Sequence, residues 1–116
     1  MIVDLSFDFA LRIIQFAERL EEKRRYVIAR QILKSGTSVG ANIREAQNAE
    51  SRADFIHKLK IAAKEADETE YWLLLCKESY DVENCELLIE DCRVNIKVLS
   101  KIIASSKRKT NQSHYH

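Results

Sequence analysis

The chain has 116 residues, of which 46% are hydrophobic and 32% are charged, with two glycines, no proline and a formal net charge of +1. The apolar content excludes a disordered chain, and the scarcity of glycine and proline excludes a β-sandwich or barrel, whose tight turns need those residues. No apolar run approaches the ~18 residues of a membrane span, and Asp4 and Asp8 stand where a targeting signal would be basic, so we expect a cytoplasmic, helical protein.

The first predicted helix covers about residues 4–24. One of its faces repeats apolar side chains at steps of four and three, namely Phe9, Ile13, Phe16 and Leu20. A second apolar row consists of Phe7, Leu11 and Ile14. One bundle core does not cover both rows, and leftover apolar surface marks an interface. The sequence therefore predicts that this helix contacts other copies of the chain.

The second predicted helix covers about residues 25–49 and contains both glycines. Its small and apolar residues step by four and three: Ile28, Ile32, Ser35, Val39, Asn42 and Ala46. Because glycine costs ~1 kcal/mol in a helix relative to alanine, residues 35–41 could also be interpreted as a loop. The unbroken period favours one helix, with any bend at Gly36 or Gly40, in which small residues allow a neighbouring helix to approach closely.

The third and fourth predicted helices cover about residues 51–79 and 82–105. The third begins at a capping-box pattern, Ser51 with Asp54, and the fourth follows Asp81 as its N-cap. The apolar row of the third is Phe55, Leu59, Ala62, Ala66, Thr69, Leu73 and Cys76, and that of the fourth is Cys85, Ile89, Cys92, Ile96, Leu99 and Ile103. Residues 107–116 show no period and predict a frayed basic tail.

Four long helices with short connections predict an all-α, up-down-up-down antiparallel bundle that forms one domain over residues 1–106. The three cysteines, Cys76, Cys85 and Cys92, form no C-x-x-C pair, so we expect buried free thiols rather than a zinc or redox site. The acidic run at residues 65–70 lacks the paired Glu-x-x-His motifs of di-iron bundles, so we expect a solvated face and neither metal nor cofactor.

One pattern is typical of an enzyme. Arg52 and His57 have the R-x4-H spacing and resemble the catalytic motif of the all-helical HEPN ribonucleases, in which a dimer brings two such pairs onto one phosphodiester. Two residues at this spacing match by chance often. We therefore interpret both as surface residues of a first helical turn, and we expect no enzymatic activity.

The distribution of charge along the chain is more informative than the net charge of +1. In an antiparallel bundle, residues 1–14, 38–64 and 94–116 lie at one end and carry eleven basic and five acidic side chains, a formal charge of +6, which leaves −5 for the other end. Such a basic end attracts phosphates. Our candidate nucleic-acid-binding residues are Arg44, Arg52, Lys58, Lys60, Lys64, Lys97, Lys101, Lys107, Arg108 and Lys109, with Lys60 and Lys64 as first choice. The alternative is that these side chains only keep the protein soluble.

Residues 26–46 carry a family resemblance, in the segments YVIARQI and SVGANIREA. With the downstream Asp54-Phe55-Ile56 and Glu68…Glu70…Leu73-Leu74, the chain resembles the four-helix-bundle proteins encoded in intervening sequences of bacterial large-subunit ribosomal RNA genes. The resemblance covers about residues 5–105. It implies a cyclic homo-oligomer, typically a pentamer, and kinship to the accessory variability determinant of diversity-generating retroelements, which binds nucleic acid and a reverse transcriptase.

Within the same segment, Ser38, Asn42 and Glu45 lie on one helix face, and we expect them to hold neighbouring helices in register. The sequence thus favours a non-enzymatic bundle that assembles into a ring and presents a basic surface to RNA, DNA or a nucleoprotein partner. A protein–protein adaptor without nucleic-acid contact is the alternative, and a HEPN-like ribonuclease is the third hypothesis.

Overall fold

The computed structural model describes the backbone of residues 1–114 and the side chains of residues 1–109. It contains four α-helices: α1 (Ile2–Glu22), α2 (Tyr26–Ala46), α3 (Arg52–Ser79) and α4 (Cys85–His114). Helix α1 packs on α2 and α4, and α3 packs on the same two helices from the opposite side. This all-α bundle confirms the predicted fold class.

Contacts between the helices show their directions. Gly36 of α2 packs on Ile13 of α1, and Gly40 packs on Ser6, so residue numbers rise along one helix as they fall along the other. The same relation holds for the other neighbouring pairs, through Ser35–Thr69 and Glu45–Lys58, Leu73–Cys85 and Ala66–Cys92, and Arg12–Asp91 and Lys23–Asp81. Neighbouring helices are therefore antiparallel throughout the bundle.

The core consists of the apolar rows that the sequence indicates. Its largest fully buried side chains include Phe9, Ile13, Phe16, Leu20, Ile32, Val39, Leu59, Leu73 and Leu99. By contrast, Phe7, Leu11 and Ile14, which form the second row of α1, remain exposed. The bundle core uses one apolar face of α1 and leaves the other in solvent.

Helix α2 is continuous through residues 35–41, as predicted. Both glycines have helical backbone angles, without positive φ. Helix α3 begins as predicted, because the backbone N–H of Asp54 donates to Ser51 Oγ at 3.1 Å. These local signals were sufficient because each depends on residues close in sequence.

The start of α4 differs from the expectation. The helix begins at Cys85, so Asp81 is not its N-cap; Asn84 precedes it with φ 68°, a left-handed conformation that asparagine tolerates better than most residues. The backbone carbonyl of Asp81 instead accepts a hydrogen bond from Lys23 Nζ at 2.9 Å, which ties this connection to the end of α1.

The end of α4 differs as well. The helix continues through His114, whereas the sequence predicted an end near residue 105 and a frayed tail over residues 107–116. Lysine and arginine are good helix formers, and positive charge is favourable near a helix C-terminus, so residues 107–109 extend the helix without an apolar row. Residues 115 and 116 of the predicted tail lie outside the described residues.

All three cysteines are buried free thiols, as expected. The thiols of Cys85 and Cys92 donate hydrogen bonds of 3.2 Å to the backbone carbonyls of Leu73 and Ala66 of α3. Burial raises the pKa of Cys76 and Cys92 to about 12. These thiols pack α4 against α3 and stay protonated at neutral pH. Among residues 1–114, none of the helices carries an apolar stretch suited to crossing a bilayer.

Candidate nucleic-acid interface

Nine of the ten candidate basic residues lie on two adjacent helix segments, the first half of α3 and the part of α4 from Lys97 onward. Because α3 and α4 are antiparallel neighbours, these segments lie side by side at the same end of the bundle. The residues are Arg52, Lys58, Lys60 and Lys64 on α3, and Lys97, Lys101, Lys107, Arg108 and Lys109 on α4. All are exposed except Lys58, which is half-buried.

Lys60 of α3 and Lys107 of α4 form a cationic pair at this end. A side-chain hydrogen bond that Lys60 donates to the neutral amine of Lys107, together with the positive charge of Lys60, lowers the pKa of Lys107 below its ordinary value. Two ammonium groups that meet across neighbouring helices repel each other, and an anion between them relieves the repulsion. The structure thus brings one of the two first-choice lysines into a pair that favours a phosphate.

A groove of about 670 Å³ opens beside this pair, between the end of α2, the start of α3 and the last turns of α4. It exists because α4 runs on past the start of α1. The ion pair of Arg12 with Asp91 places Ile2, where α1 begins, near the level of Lys101, so α1 does not cover the rest of α4. The groove is lined by Ala46, Gln47, Ala49, Ser51, Arg52, Phe55, Lys101, Ile102, Ser105, Ser106 and Lys109.

The groove combines cationic, hydroxyl and apolar side chains. Arg52 and Lys101 supply charge from opposite walls, Ser51 and Ser105 supply hydroxyl groups, and Phe55 supplies an aromatic ring. Cations bind phosphate oxygens, and an aromatic ring can stack on a base. The groove therefore suits a nucleotide unit of a larger nucleic acid.

The sequence analysis did not identify the uncharged residues of the groove, such as Gln47 and Ser105. It assigned Phe55 to the apolar row of α3 and did not predict that this side chain also lines the groove. The available signal was the helix propensity of residues 107–109, which predicts a longer α4 and hence a segment without α1 beside it. Counting charges does not identify uncharged residues that come together because α4 is longer than expected.

Arg44 lies apart from the other nine residues. It lines a separate groove of about 700 Å³ between α1 and α2, together with Val3 and Phe7. The structure therefore does not bring Arg44 into the surface formed by α3 and α4. Its position follows from α2, whose C-terminal half packs against α1 on one side and α3 on the other.

The polar set of α2 acts mainly within its own helix. Ser38 Oγ donates to the carbonyl of Lys34 at 2.6 Å, and Asn42 Nδ2 donates to the carbonyl of Ser38 at 2.8 Å. Glu45 reaches α3, where its carboxylate lies 3.8 Å from Lys58 Nζ. Short polar side chains on a helix readily bond the preceding turn. Of the three residues expected to hold neighbouring helices in register, Glu45 thus forms an ion pair with α3, whereas these hydrogen bonds of Ser38 and Asn42 stay within α2.

Arg52 and His57 lie on the first two turns of α3, and both are exposed. Arg52 lines the groove at the bundle end, and His57 is one turn before the candidate Lys60 and Lys64. Among the described residues, no cluster of three or more His, Cys, Asp or Glu side chains is arranged to hold a metal ion.

Comparison with known proteins places the chain in a family. A search of curated proteins finds no match to it. Among solved structures, it is similar to a protein of unknown function from the S23 ribosomal protein family of Bacteroides thetaiotaomicron, with 49% identity and a TM-score of 0.83 over 89% of this chain and 98% of that one. Residues 1–105 match the 23S rRNA-intervening sequence proteins. This match covers all but the last turns of α4, and the chain therefore belongs to the 23S rRNA-intervening sequence protein family.

Proposed function

We propose that the protein is a non-enzymatic, ring-forming bundle that binds RNA or DNA through its basic end, acting in the cytoplasm. The observation that carries this proposal is the convergence of Lys60 and Lys107 beside a groove that contains Arg52 and Lys101. These side chains come from two helices and meet at one end, where the formal charge is +6. Such a surface binds phosphates by a salt-dependent, sequence-independent attraction.

Assembly into a ring strengthens this attraction. In a cyclic oligomer all subunits point the same way, so their basic ends share one rim. Five copies, the number that the family resemblance implies, carry about +30 formal charges on that rim and about −25 on the other, before screening by salt. A rim of this charge engages many phosphates at once, and the groove of each subunit then receives one part of the nucleic acid.

The salt dependence of binding tests this function. We expect wild-type protein to shift a structured RNA in electrophoretic mobility assays, with log affinity falling linearly against log salt. In the variant Lys60→Glu/Lys64→Glu, the slope should fall by about two, because each lost phosphate contact removes about one. An unchanged slope excludes these two lysines.

A matched control is available on α2. Arg30 and Lys34 are also exposed and one helical turn apart, but they lie in the acidic half of the bundle. Arg30→Glu/Lys34→Glu makes the same change in net charge and should leave the salt slope unchanged. Equal losses in the two variants would show a response to net charge alone. Absence of wild-type binding even at ~50 mM salt contradicts the function and leaves the protein–protein adaptor as the alternative.

The absence of catalysis is tested separately. Because Arg52 and His57 are the residues of the ribonuclease hypothesis, RNA is incubated with wild-type protein and with His57→Ala. We expect the RNA to remain intact in both. Cleavage by the wild type that is lost in His57→Ala would contradict the non-enzymatic function.

A further inference from the structure

We propose that the groove at the basic end holds one unpaired nucleotide of a single-stranded nucleic acid, with its base against Phe55 and its phosphate between Arg52 and Lys101. This inference rests on the proposed function and names the class of nucleic acid that the basic end selects. Single strands, loops and unpaired ends offer such a nucleotide, whereas a fully paired duplex does not.

Every charged side chain that the structure describes in this groove is basic. Arg52 lies on the α3 wall, and Lys101 and Lys109 lie on the α4 wall. The groove between α1 and α2 differs, because it contains Asp4 beside Arg44. A groove with three cations and no carboxylate in its described lining attracts an anion and repels a cation.

Two of these cations are available to a ligand. Among the residues whose side chains are described, neither Arg52 nor Lys101 forms an ion pair, and both are exposed. Lys58, by contrast, already lies 3.8 Å from the carboxylate of Glu45. Arginine and lysine are the side chains that most often bind phosphate oxygens. Arg52 and Lys101 can therefore bind a phosphate from the two walls of the groove without breaking an existing ion pair.

The groove also has an apolar surface that suits a base. Phe55 of α3 and Ile102 of α4 are half-buried, because each packs on the core and also lines the groove. The hydrogen bond of Cys92 to Ala66 sets the register of these helices. Phe55, eleven residues before Ala66, therefore lies near the level of residue 103, beside Ile102. A flat base can pack on the ring at this level.

The cation and the ring are close enough for one nucleotide to contact both. Arg52 and Phe55 are three residues apart on α3, so their β-carbons lie about 5–6 Å apart. The groove has a volume of about 670 Å³, within the range of about 300–1,000 Å³ that is typical of small-molecule sites. The small side chains of Ala46 and Ala49 leave this space open at the end of α2.

Base pairing decides which nucleic acids can use this site. In a duplex, each base is paired and stacked inside the helix, so only the phosphates reach the groove. An unpaired base can turn outward and pack on Phe55 while its phosphate stays with the cations. The contact with the ring is thus added to the electrostatic attraction only when the nucleotide is unpaired.

A strand without bases tests the contact with the base. Single-stranded DNA and an abasic strand of the same length carry the same phosphates, so they differ in their bases alone. For wild-type protein, we expect fluorescence anisotropy to show about 5- to 100-fold tighter binding of the DNA, the range for stacking on an aromatic ring. Equal affinity for the two strands overturns the inference and leaves the proposed function intact. Absence of binding to both strands even at ~50 mM salt contradicts the proposed function, on which the inference depends.

Variants of the groove separate the ring from the charges. Phe55→Leu keeps an apolar side chain on the core but removes the ring, so the preference for the strand with bases should fall toward one. Phe55→Tyr keeps the ring and should retain the preference. Arg52→Gln/Lys101→Gln should weaken binding of both strands and reduce the salt slope by about one to two.

A control for the Phe55 variants lies in the acidic half of α3. Tyr71 is an aromatic residue that is 56% exposed, and Tyr71→Leu should keep the wild-type preference. Circular dichroism checks that each variant is folded. A preference that survives in folded Phe55→Leu, or that is lost equally in Tyr71→Leu, overturns the inference.

A tryptophan at position 55 reports stacking directly. The wild type has a single tryptophan, Trp72, whose fluorescence gives the background. Because stacking on a base quenches indole fluorescence, Phe55→Trp should be quenched by saturating single-stranded DNA beyond the change seen in the wild type. A long duplex of the same sequence, also at saturation, should not cause this additional quenching. Equal quenching by strand and duplex, or none beyond the background, overturns the selection of an unpaired base.

Discussion

Gly36 of α2 lies directly on the side chain of Ile13 of α1. A β-carbon at position 36 would be 2.7 Å from Cγ2 and 2.9 Å from Cγ1 of Ile13, well inside van der Waals contact. Both atoms are attached to the branched β-carbon of isoleucine, which has little freedom to move within a helix. The glycine therefore sets how closely α1 and α2 approach in the core.

Replacing this glycine should destabilise the bundle. For Gly36→Ala we expect a loss of about 1–3 kcal/mol in the free energy of unfolding, because Ile13 must shift in a packed core. Gly40→Ala is the matched control, since its β-carbon would lie 3.4 Å from Ser6 and alanine is the better helix former. We expect that variant to be unchanged or more stable by up to ~1 kcal/mol. Urea denaturation at one protein concentration measures both, and equal effects would contradict the role of Gly36.

The same pair of residues shows what sequence could and could not predict. Periodicity predicted that α2 continues through Gly36 and Gly40, and it identified Ile13 as a core residue, because helical spacing is a local property. It did not predict that Gly36 contacts Ile13, which depends on helix register. For the same reason, charge counting found Lys60 and Lys107 but not their contact, and it placed Arg44 with residues that lie on other helices.

Ser35 and Thr69 form a buried polar contact between α2 and α3. Their hydroxyl oxygens lie 2.8 Å apart, and Thr69 Oγ1 is also 2.7 Å from the carbonyl oxygen of Glu65. Thr69→Val keeps the shape but leaves the Ser35 hydroxyl with a single 3.5 Å contact to the carbonyl of Ile32. We expect Thr69→Val to cost about 1–3 kcal/mol of stability, the range for a buried polar group that loses its partner.

A double-mutant cycle tests this contact. Ser35→Ala combined with Thr69→Val removes both hydroxyl groups, so the double variant should lose less stability than the sum of the two single losses. Denaturant titrations of the four proteins give the interaction energy. Strict additivity would show that the two hydroxyl groups do not stabilise each other.

The buried thiols should make the protein resistant to thiol reagents at neutral pH. Burial raises the pKa of Cys76 and Cys92 to about 12, so few thiolates exist in the folded state, and reagents reach the sulfurs only after unfolding. We expect slow, denaturant-accelerated reaction with a chromogenic disulfide reagent. A rapid reaction of two or more thiols in the native protein would contradict their burial.

The same pKa shifts predict a pH effect on stability. In the unfolded chain these thiols ionise near 9.0, whereas in the folded protein they retain their protons up to about 12. The folded state thus holds more protons in this window, and stability falls as pH rises through it. The melting temperature should fall between pH 8.5 and 10.5 more steeply in the wild type than in Cys76→Ala/Cys92→Ala. Parallel decreases would assign the effect to other groups, such as lysines.

The helical extension of α4 should contribute to nucleic-acid binding without being needed for folding. The largest fully buried side chains of α4 are Leu88, Asn95 and Leu99, so a chain that ends after residue 105 retains them. It loses Lys107, Arg108 and Lys109, and Lys60 loses its neighbour across the bundle. Because each lost phosphate contact reduces the salt slope by about one, we expect the slope for structured RNA to fall by up to about three.

A chain that ends after Lys109 is the control for this truncation. It keeps the three basic residues and the lining of the groove, so its salt slope should equal that of the full chain. Circular dichroism should show the helical bundle in both truncated proteins. A full slope in the chain ending after residue 105 would show that the extension does not contact phosphate. A loss already present in the longer chain would place the contact beyond Lys109. We expect the salt slope to fall in the chain that ends after residue 105 and not in the chain that ends after Lys109. The reason is that Lys107 lies against Lys60, and the repulsion between these cations is relieved when a phosphate lies between them.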